Sequence, residues 1–303
     1  MKEMSSSIKE KNTGTLVAGS SGMVRVIILV LLLGAVVGVA FWGSIPGGGP
    51  SGLNGGAIMA NKILTDNLSE PLNGVTMAKV DINSDTGHLT IDKLTGGEQV
   101  LASGTLEYFE KQGLPTRTLN SSNGQANLTL RGGGTDQSWF RFPWAACGGA
   151  YEWQIHLNPT VSSDITAHSG GGNVKLDLAG LAITRLFTDT GGGNMDIVLP
   201  DNAANLSATA KTGAGNITVE IGSGITGSNS VNAYSGAGNV VVRIPSGIAA
   251  RIHATSGLGK VIVDPRFSNT DKNTYQSPEY DSATNRVEIT INSGAGNVSV
   301  NTK

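Results

Sequence analysis

The chain has 303 residues, of which 43 are glycine and only 15% are charged, and its formal net charge is -2. Glycine at about twice its average usage and charge well below the usual ~25% favour a turn-rich β protein. The near-neutral charge argues against a nucleic-acid partner, which needs a basic face, and the single cysteine, Cys147, excludes an intrachain disulfide and a cysteine-based metal site.

The first 56 residues divide into three segments of different composition. Residues 1–22 are polar and Ser-rich, and we predict a disordered tail. Residues 23–42 contain an uncharged run from Val26 to Trp42, and the segment is long enough to cross a bilayer of ~30 Å as one transmembrane helix. Residues 43–56 form a flexible Gly/Pro/Ser linker.

The charges beside the apolar run predict its orientation. Lys2, Lys9, Lys11 and Arg25 precede it, whereas Lys62 alone follows it within about thirty residues. Positively charged residues beside a membrane span tend to stay on its cytoplasmic side. We therefore expect a cytoplasmic N-terminus and an extracytoplasmic remainder, at the cell surface or in the periplasm. The partner at this end is therefore the plasma membrane, through a single-pass anchor.

Cleavage of this segment is the alternative. Gly38 and Ala40 are small enough for a signal-peptide cleavage site. The apolar run is longer than the usual 7 to 15 residues of a signal peptide and continues into Phe41 and Trp42, so an uncleaved anchor is favoured.

Residues 57–303 are predicted to form one extracytoplasmic β-repeat domain, of which residues 75–166 are the degenerate N-terminal part. A short helix is predicted for residues 57–68, ending near Pro71. Strand alternation begins after Val75, and degenerate copies of the repeat are predicted at residues 86–91 and near Asn123–Gly124. Terminal units of a repeat array are expected to be atypical.

An aromatic segment interrupts this degenerate part between Trp139 and Trp153. We predict that Trp153, Ile155 and Leu157 form a core strand. The other aromatic residues either cap one end of the array or form an exposed surface that binds a glycan, a membrane or a protein, because exposed aromatic clusters mark interaction sites. The candidate binding residues are Trp139, Phe140, Phe142, Trp144 and Tyr151.

Residues 167–303 contain six copies of one five-residue phrase. The copies are SGGGN at Ser169, TGGGN at Thr190, TGAGN at Thr212, SGAGN at Ser235, SGLGK at Ser256 and SGAGN at Ser293. Their starts are 21, 22, 23, 21 and 37 residues apart, and such a period indicates stacked structural units. The extra length before the last copy, residues 265–284, is predicted to cross the end of the array as a loop.

Apolar residues alternate on both sides of each phrase, so each repeat is predicted to be strand, turn, strand, turn. The glycines are predicted to supply positive φ. The asparagines are predicted to tolerate the left-handed conformation and, where units stack, also to form a ladder between them. The predicted turn residues are Gly170, Gly172, Asn173, Gly191, Gly193, Asn194, Gly213, Gly215, Asn216, Gly236, Gly238, Asn239, Gly257, Gly259, Gly294, Gly296 and Asn297.

Other glycine-rich motifs do not fit. A calcium-binding β-roll needs a nine-residue period with Asp after its glycines. A phosphate loop needs Ser or Thr after Gly-Lys, but Val261 follows Lys260. A dinucleotide fingerprint opens a helix, whereas each phrase here opens a strand.

No motif predicts catalysis, a metal or a cofactor, and we predict that the chain is not an enzyme. His88, His156, His168 and His253 lie on separate predicted strands without metal-ligand spacing, and no nucleophile elbow occurs. A polysaccharide lyase built on a β-helix would need charged residues concentrated on one sheet face. The outward positions from Lys175 to Arg243 show no such concentration.

Several segments together resemble the toastrack β-strand repeat family of prokaryotic envelope proteins. They are residues 153–159 (WQIHLNP), 171–181 (GGNVKLDLAGL), 190–200 (TGGGNMDIVLP), 101–108 (LASGTLEY) and 280–291 (YDSATNRVEITI). Members are often labelled adhesins, and they include the C-terminal domain of LiaF-like cell-wall-active antibiotic response regulators. The resemblance covers roughly residues 75–300 and implies an all-β solenoid or two-sheet prism with rungs of about 21–23 residues, without an active site to carry over.

Two functions follow as hypotheses. The first is a non-enzymatic envelope scaffold, or the sensing module of an envelope stress response that acts through another envelope protein. Those regulators have several membrane helices, whereas one is predicted here. The second is a cell-surface adhesin or glycan-binding module. Homo-oligomers are also expected, because the end strands of a solenoid have unpaired edges.

Overall fold

The computed structural model describes residues 62–97, 99–133 and 151–303, and these residues form two large β-sheets. The one helix among them is the 3-10 turn Glu110–Gln112. The predicted tail, transmembrane helix and linker of residues 1–56 lie outside the described residues. In the described part of the chain, no helix has the length and apolar character that a bilayer span requires.

Sheet 1 has ten strands within the described residues. In spatial order they are β1 (Ile63–Pro71), β4 (Val100–Phe109), β7 (Glu152–Leu157), β3 (His88–Lys93), β9 (Val174–Asp177), β11 (Met195–Val198), β13 (Ile217–Glu220), β15 (Val240–Ile244), β21 (Val298–Thr302) and β17 (Val261–Val263). From β7 to β17 the neighbours are parallel.

Sheet 2 has eleven strands in the same residues. In spatial order they are β18 (Ser268–Asp271), β19 (Thr274–Gln276), β16 (Ala249–Leu258), β20 (Arg286–Ala295), β14 (Ser228–Ala237), β12 (Ser207–Ala214), β10 (Ile183–Gly192), β8 (Ser162–Ser169), β2 (Met77–Asn83), β6 (Gln125–Arg131) and β5 (Thr116–Ser122). Antiparallel hairpins close both ends, and the strands between them are parallel.

The chain moves repeatedly from a strand of sheet 2 into a strand of sheet 1, and we call each such pair a rung. The predicted alternation is confirmed: Leu176, Ile197 and Val219 are buried on sheet 1, and Ala210 and Ile289 are buried on sheet 2. Apolar residues of both sheets form one hydrophobic core, so period-2 patterning directs each strand's apolar side inward. The all-β repeat prediction is therefore confirmed for the described residues.

The rungs do not stack in the order of the sequence. The last rung, β20 with β21, lies between the rung of β14 and β15 and the rung of β16 and β17. In the N-terminal part, the rung of β2 and β3 likewise lies between β6 with β7 and β8 with β9. The edge strands of any rung can pair in parallel with those of another rung in the same register. Sequence order alone therefore does not fix the stacking order.

Three local predictions need correction. The helix predicted for residues 57–68 is wrong in its described part, because residues from Ile63 pair antiparallel with β4 and the sheet partner overrides local propensity. Asn123–Gly124, with φ of 52° and 74°, is the turn of the hairpin between β5 and β6 instead of a rung corner. The 265–284 insertion forms the hairpin of β18 and β19 instead of a loop, and β19 pairs antiparallel with β16.

Candidate functional site

The second glycine of each regular phrase meets two requirements at once. The φ angles of Gly193, Gly215 and Gly238 are 139°, 151° and 148°, a region that side chains rarely adopt. A Cβ placed on Gly215 would also lie 2.0 Å from the carbonyl oxygen of Gly193 in the next rung. The predicted positive φ is confirmed at this position, and Gly172 and Gly296 share it.

The first glycine of the phrase has a different role from the one predicted. It does not have positive φ, but a Cβ on Gly213 would lie 2.4 Å from the carbonyl oxygen of Gly191 in the neighbouring rung. The prediction of positive φ is therefore wrong here, since close stacking alone requires glycine. Equally close approaches occur at the other first glycines, Gly170, Gly191, Gly236, Gly257 and Gly294. Gly259 is a second glycine, but it too is required by close contact and does not have positive φ.

The asparagines that follow the glycines form the predicted ladder. The Oδ1 of Asn173, Asn194, Asn216 and Asn239 accepts the backbone N–H of Asn194, Asn216, Asn239 and Asn297, respectively, at 2.8 to 2.9 Å. The left-handed conformation that was also predicted for these asparagines is wrong, because none of them has positive φ. The ladder ends at Lys260, whose N–H donates to Asn297 Oδ1 at 3.0 Å.

A second ladder, which the sequence analysis missed, runs inside the same corner. The hydroxyl that opens each phrase donates to the carbonyl oxygen of the second glycine of the neighbouring rung: Thr212 to Gly193 at 3.2 Å and Ser235 to Gly215 at 2.9 Å, for example. The constant Ser or Thr before the glycines was the signal for it. Both ladders make this corner of the stack a rigid frame.

The N-terminal rungs replace this corner by other residues. In the rung of β2 and β3, Gly87 has φ 146° and His88 takes the place of asparagine, its Nδ1 accepting the N–H of Asn173 at 3.2 Å. The predicted degenerate copy at residues 86–91 is thus confirmed. In the next rung, residues 132–151 connect β6 to β7.

The predicted aromatic binding residues fall mostly outside the described residues, and these are Trp139, Phe140, Phe142 and Trp144. Tyr151 is described and buried, so it does not offer its ring to a partner. Its hydroxyl donates to the carbonyl oxygen of Ser84 at 2.5 Å and accepts the N–H of Thr86 at 2.9 Å, and burial raises its pKa. Trp153 is fully buried in the predicted core strand, and its Nε1 donates to the carbonyl oxygen of Glu107.

The outer face of sheet 2 carries a cluster that we call the outer patch: His168, Phe187, Asp189, Lys211 and Tyr234. The parallel register places His168, Asp189, Lys211 and Tyr234 side by side on β8, β10, β12 and β14. Each precedes the Ser or Thr of its phrase, so aligning the repeats would have revealed the row. Parallel strands about 4.8 Å apart bring such side chains within contact.

The contacts of the outer patch combine aromatic, cationic and polar groups. Lys211 Nζ lies 5.4 Å from the ring centre of Phe187 and 5.8 Å from that of Tyr234, distances typical of cation–π attraction. His168 Nδ1 lies 2.6 Å from Asp189 Oδ1, and its ring is 5.6 Å from Phe187. Within the described residues Lys211 has no carboxylate in ion-pair distance, so its charge is available to a ligand.

A shallow depression beside the outer patch supplies neutral hydrogen-bonding groups. It has a volume of about 360 Å³ and is lined by Thr209, Lys211, Asn232 and Tyr234. An aromatic ring, a hydroxyl, an amide and an ammonium on one open face suit a ligand that has both an apolar face and many polar groups. In the described ranges no group of three or more His, Cys, Asp or Glu residues could hold a metal ion.

A second depression, near the 265–284 insertion, has a volume of about 350 Å³. Two of its charged groups pair with each other: Arg251 donates to Asp281 at 2.8 Å, donates also to Gln276 at 2.9 Å, and lies over the buried ring of Tyr280. Burial raises the pKa of Tyr280. This network fastens the insertion to sheet 2.

The chain is similar to one protein family, and one solved structure shares this architecture. The family model described as the N-terminal domain of toast_rack, DUF2154, matches residues 59–220, and no curated protein matches the chain. A crystal structure of a "putative cell adhesion protein" from Clostridium sporogenes is 21% identical, with a TM-score of 0.59 over 80% of this chain and 100% of that chain. A "putative adhesin" from Bacteroides fragilis is 13% identical over 79% and 97% of the two chains, with a TM-score of 0.28.

Proposed function

Because the chain belongs to the family of the N-terminal domain of toast_rack, we propose that it is a non-enzymatic, membrane-anchored binding protein of the cell envelope whose outer patch binds acidic saccharides. The observation that carries the proposal is Lys211, which lies between two aromatic rings on an open face without a carboxylate partner in the described residues. The relative from Clostridium sporogenes, named for cell adhesion, adds support to a surface role.

Saccharide chemistry fits the outer patch in three ways. The C–H face of a sugar ring packs on an aromatic side chain such as Tyr234, which is half-buried and fixed by its strand. Hydroxyl groups of a sugar bond to amides and hydroxyls such as those of Asn232 and Thr209. An acidic substituent pairs with the ammonium of Lys211.

The anchor in this proposal is the segment 23–42, with the N-terminus in the cytoplasm. The apolar run and the preceding positive charges support it. Deletion of residues 23–42 is expected to move the protein from the membrane fraction to the soluble fraction of cells. Retention of the deleted protein in the membrane fraction would contradict the anchor.

Binding is tested with the full-length protein in detergent against neutral and acidic polysaccharides by biolayer interferometry. We expect binding of acidic polymers that weakens with salt and falls about tenfold in Lys211→Gln, while Lys211→Arg retains it. Lys175→Gln is the matched control, since Lys175 is exposed on the outer face of sheet 1. Equal losses in both glutamine variants would contradict a site on sheet 2.

The aromatic segment remains the competing site, and its Trp139→Ala/Trp144→Ala variant belongs in the same experiment. Loss of binding in that variant, with Lys211→Gln unaffected, would place recognition in the segment instead. The envelope-stress role stays a prediction that crosslinking in native membranes tests. Recovery of a specific envelope protein that is lost in either variant would support it.

A further inference from the structure

Within the described residues the two sheets end in four edge strands, and β17 differs from the other three. Edge strands invite association unless they are polar, covered or interrupted. The edges β5 and β18 carry mostly exposed polar side chains. β1 includes Pro71, and the carbonyl oxygen of its Asn67 already accepts a bond from Arg117 at 2.9 Å.

β1 also exposes a large apolar side chain, Ile63 at 37%, but at its first residue, whereas β17 exposes one at its centre. Ile262 is 55% exposed, and nearby Leu258 is 72% exposed, which makes it the most exposed large apolar residue in the described part of the chain. The hairpin of β18 and β19 covers the edge of sheet 2 at this end, and no described strand covers β17.

The hydrogen bonds of β17 define which of its backbone groups are open. The carbonyl oxygen of Lys260 accepts the N–H of Val298, and the N–H of Asp264 donates to Val300. Because alternate residues of a strand face opposite neighbours, the N–H and C=O groups of Val261 and Val263 point away from the sheet. They form a short template for another strand.

We propose that two copies of this chain pair antiparallel through β17, around a two-fold axis at Ile262. In this register Val261 lies opposite Val263 of the second copy, and the two residues exchange backbone hydrogen bonds. Ile262 lies opposite its own equivalent on the outer face of sheet 1. Lys260 lies opposite Asp264 of the second copy.

The sequence of β17 and its flanks supports a second copy as the occupant. The segment Lys260-Val261-Ile262-Val263-Asp264 is complementary to itself when reversed, because a cation meets an anion at each end and apolar residues meet in the middle. The Asp264 carboxylate accepts the N–H groups of Arg266 and Thr302, at 3.0 and 3.2 Å. These bonds hold a negative charge at that end of the strand.

The same end of the stack discourages open-ended growth. Each regular rung offers the Oδ1 of its asparagine to the next rung. In the last rung of the stack this position is Lys260, whose side chain has no hydrogen-bond acceptor. Another parallel rung would therefore lack the ladder bond. A two-fold contact through β17 occupies the open edge of sheet 1 in both copies, so it closes as a dimer.

Disulfide crosslinking of the full-length protein tests this geometry. In a Cys147→Ser background, Ile262→Cys places two thiols at a pair whose Cα atoms lie about 4.5 Å apart, within disulfide range. Mild oxidation is expected to give a covalent dimer. Asn301→Cys, exposed on neighbouring β21, is the matched control. Equal crosslinking of the two variants, or none from Ile262→Cys, would overturn the proposal.

Light scattering in detergent gives a second measurement that does not depend on thiols. Val261→Pro removes an N–H that faces the open side, so the fold tolerates it while the dimer loses a hydrogen bond on each side. Ile262→Lys places like charges at the axis. Each is expected to weaken dimerisation about tenfold or more with unchanged circular dichroism. A wild-type protein that stays monomeric at high concentration, or a dimer that both variants leave intact, would refute the pairing.

Discussion

The two corners of the rungs obey different rules. At the glycine corner, five of the six rungs that carry the phrase pass from sheet 2 to sheet 1 through two residues between strands, such as Gly215–Asn216 and Gly238–Asn239, and the rung of β8 and β9 uses residues 170–173. At the opposite corner, where sheet 1 leads to the next strand of sheet 2, the connections differ in length. They are residues 178–182, 199–206, 221–227 and 245–248.

The difference comes from where each corner finds its contacts. At the glycine corner a rung depends on its neighbours, because backbone lies against backbone and two side-chain ladders cross between rungs. Two opposite corners close on themselves, since the N–H of Ile248 donates to Pro245 and that of Leu181 donates to Leu178. The corners of residues 199–206 and 221–227 bond to each other, as where the N–H of Gly224 donates to Asp201. A self-closed turn can change length alone, whereas a shared corner constrains every rung in the stack.

Gly215→Ala is expected to have the largest effect on this comparison. The new Cβ combines an unfavourable φ with contact to the backbone of Gly193, and we expect a loss of about 4 kcal/mol in the free energy of unfolding. Urea unfolding followed by far-UV circular dichroism measures it.

Two further glycines separate the contribution of the φ angle from that of the backbone contact. Gly213→Ala introduces the backbone contact, here with Gly191, without an unfavourable φ, and it is expected to lower the free energy of unfolding by about 2 kcal/mol. Gly247→Ala, at the opposite corner with no atom within 4 Å, is expected to change stability by less than about 0.5 kcal/mol. If Gly247→Ala were as damaging as Gly213→Ala, the contrast between corners would be wrong.

Asn194→Ala tests the amide ladder. It removes the oxygen that accepts both the N–H and the Nδ2–H of Asn216, at 2.9 and 3.3 Å, and we expect a loss of about 1 to 2 kcal/mol. Asn194→Asp keeps an acceptor and is expected to lose less. The control is Asn202→Ala at the opposite corner, an exposed position at which a small change is expected in the same denaturation assay.

The sequence predicts the rung far better than the stack. The repeated phrase and the alternation around it were sufficient to predict two strands per rung, their inward residues and the asparagine ladder. The first glycine was misread because close approach between rungs is a tertiary contact, invisible in one repeat. The strand β1 was misread because its partner, β4, lies some forty residues further along the chain.

One departure in sequence did carry information about the stacking order. Lys260 replaces the asparagine only in the rung that has no regular neighbour beyond it, because a terminal rung needs no acceptor for a following N–H. The candidate site had a comparable signal. His168, Asp189, Lys211 and Tyr234 occupy one repeat position, and a parallel register makes repeat positions spatial neighbours.

The smallest effect is expected inside the glycine corner, at Thr188. This residue is fully buried between Ala167 and Ala210 of the adjacent strands, and its Oγ1 has no hydrogen-bond partner in the described part of the chain. Thr188→Val keeps the shape and removes the unsatisfied hydroxyl, so we expect a gain of about 0.5 to 1 kcal/mol. Thr212 lies two residues after Ala210, the residue of the next rung that pairs with Thr188. Thr212→Val removes the hydrogen bond to the carbonyl oxygen of Gly193, and we expect the free energy of unfolding to fall by about 0.5 to 1 kcal/mol. Opposite signs for the two variants in one denaturation series would show that hydroxyls stabilise this corner only where the neighbouring rung offers a carbonyl, and equal signs would contradict the hydroxyl ladder.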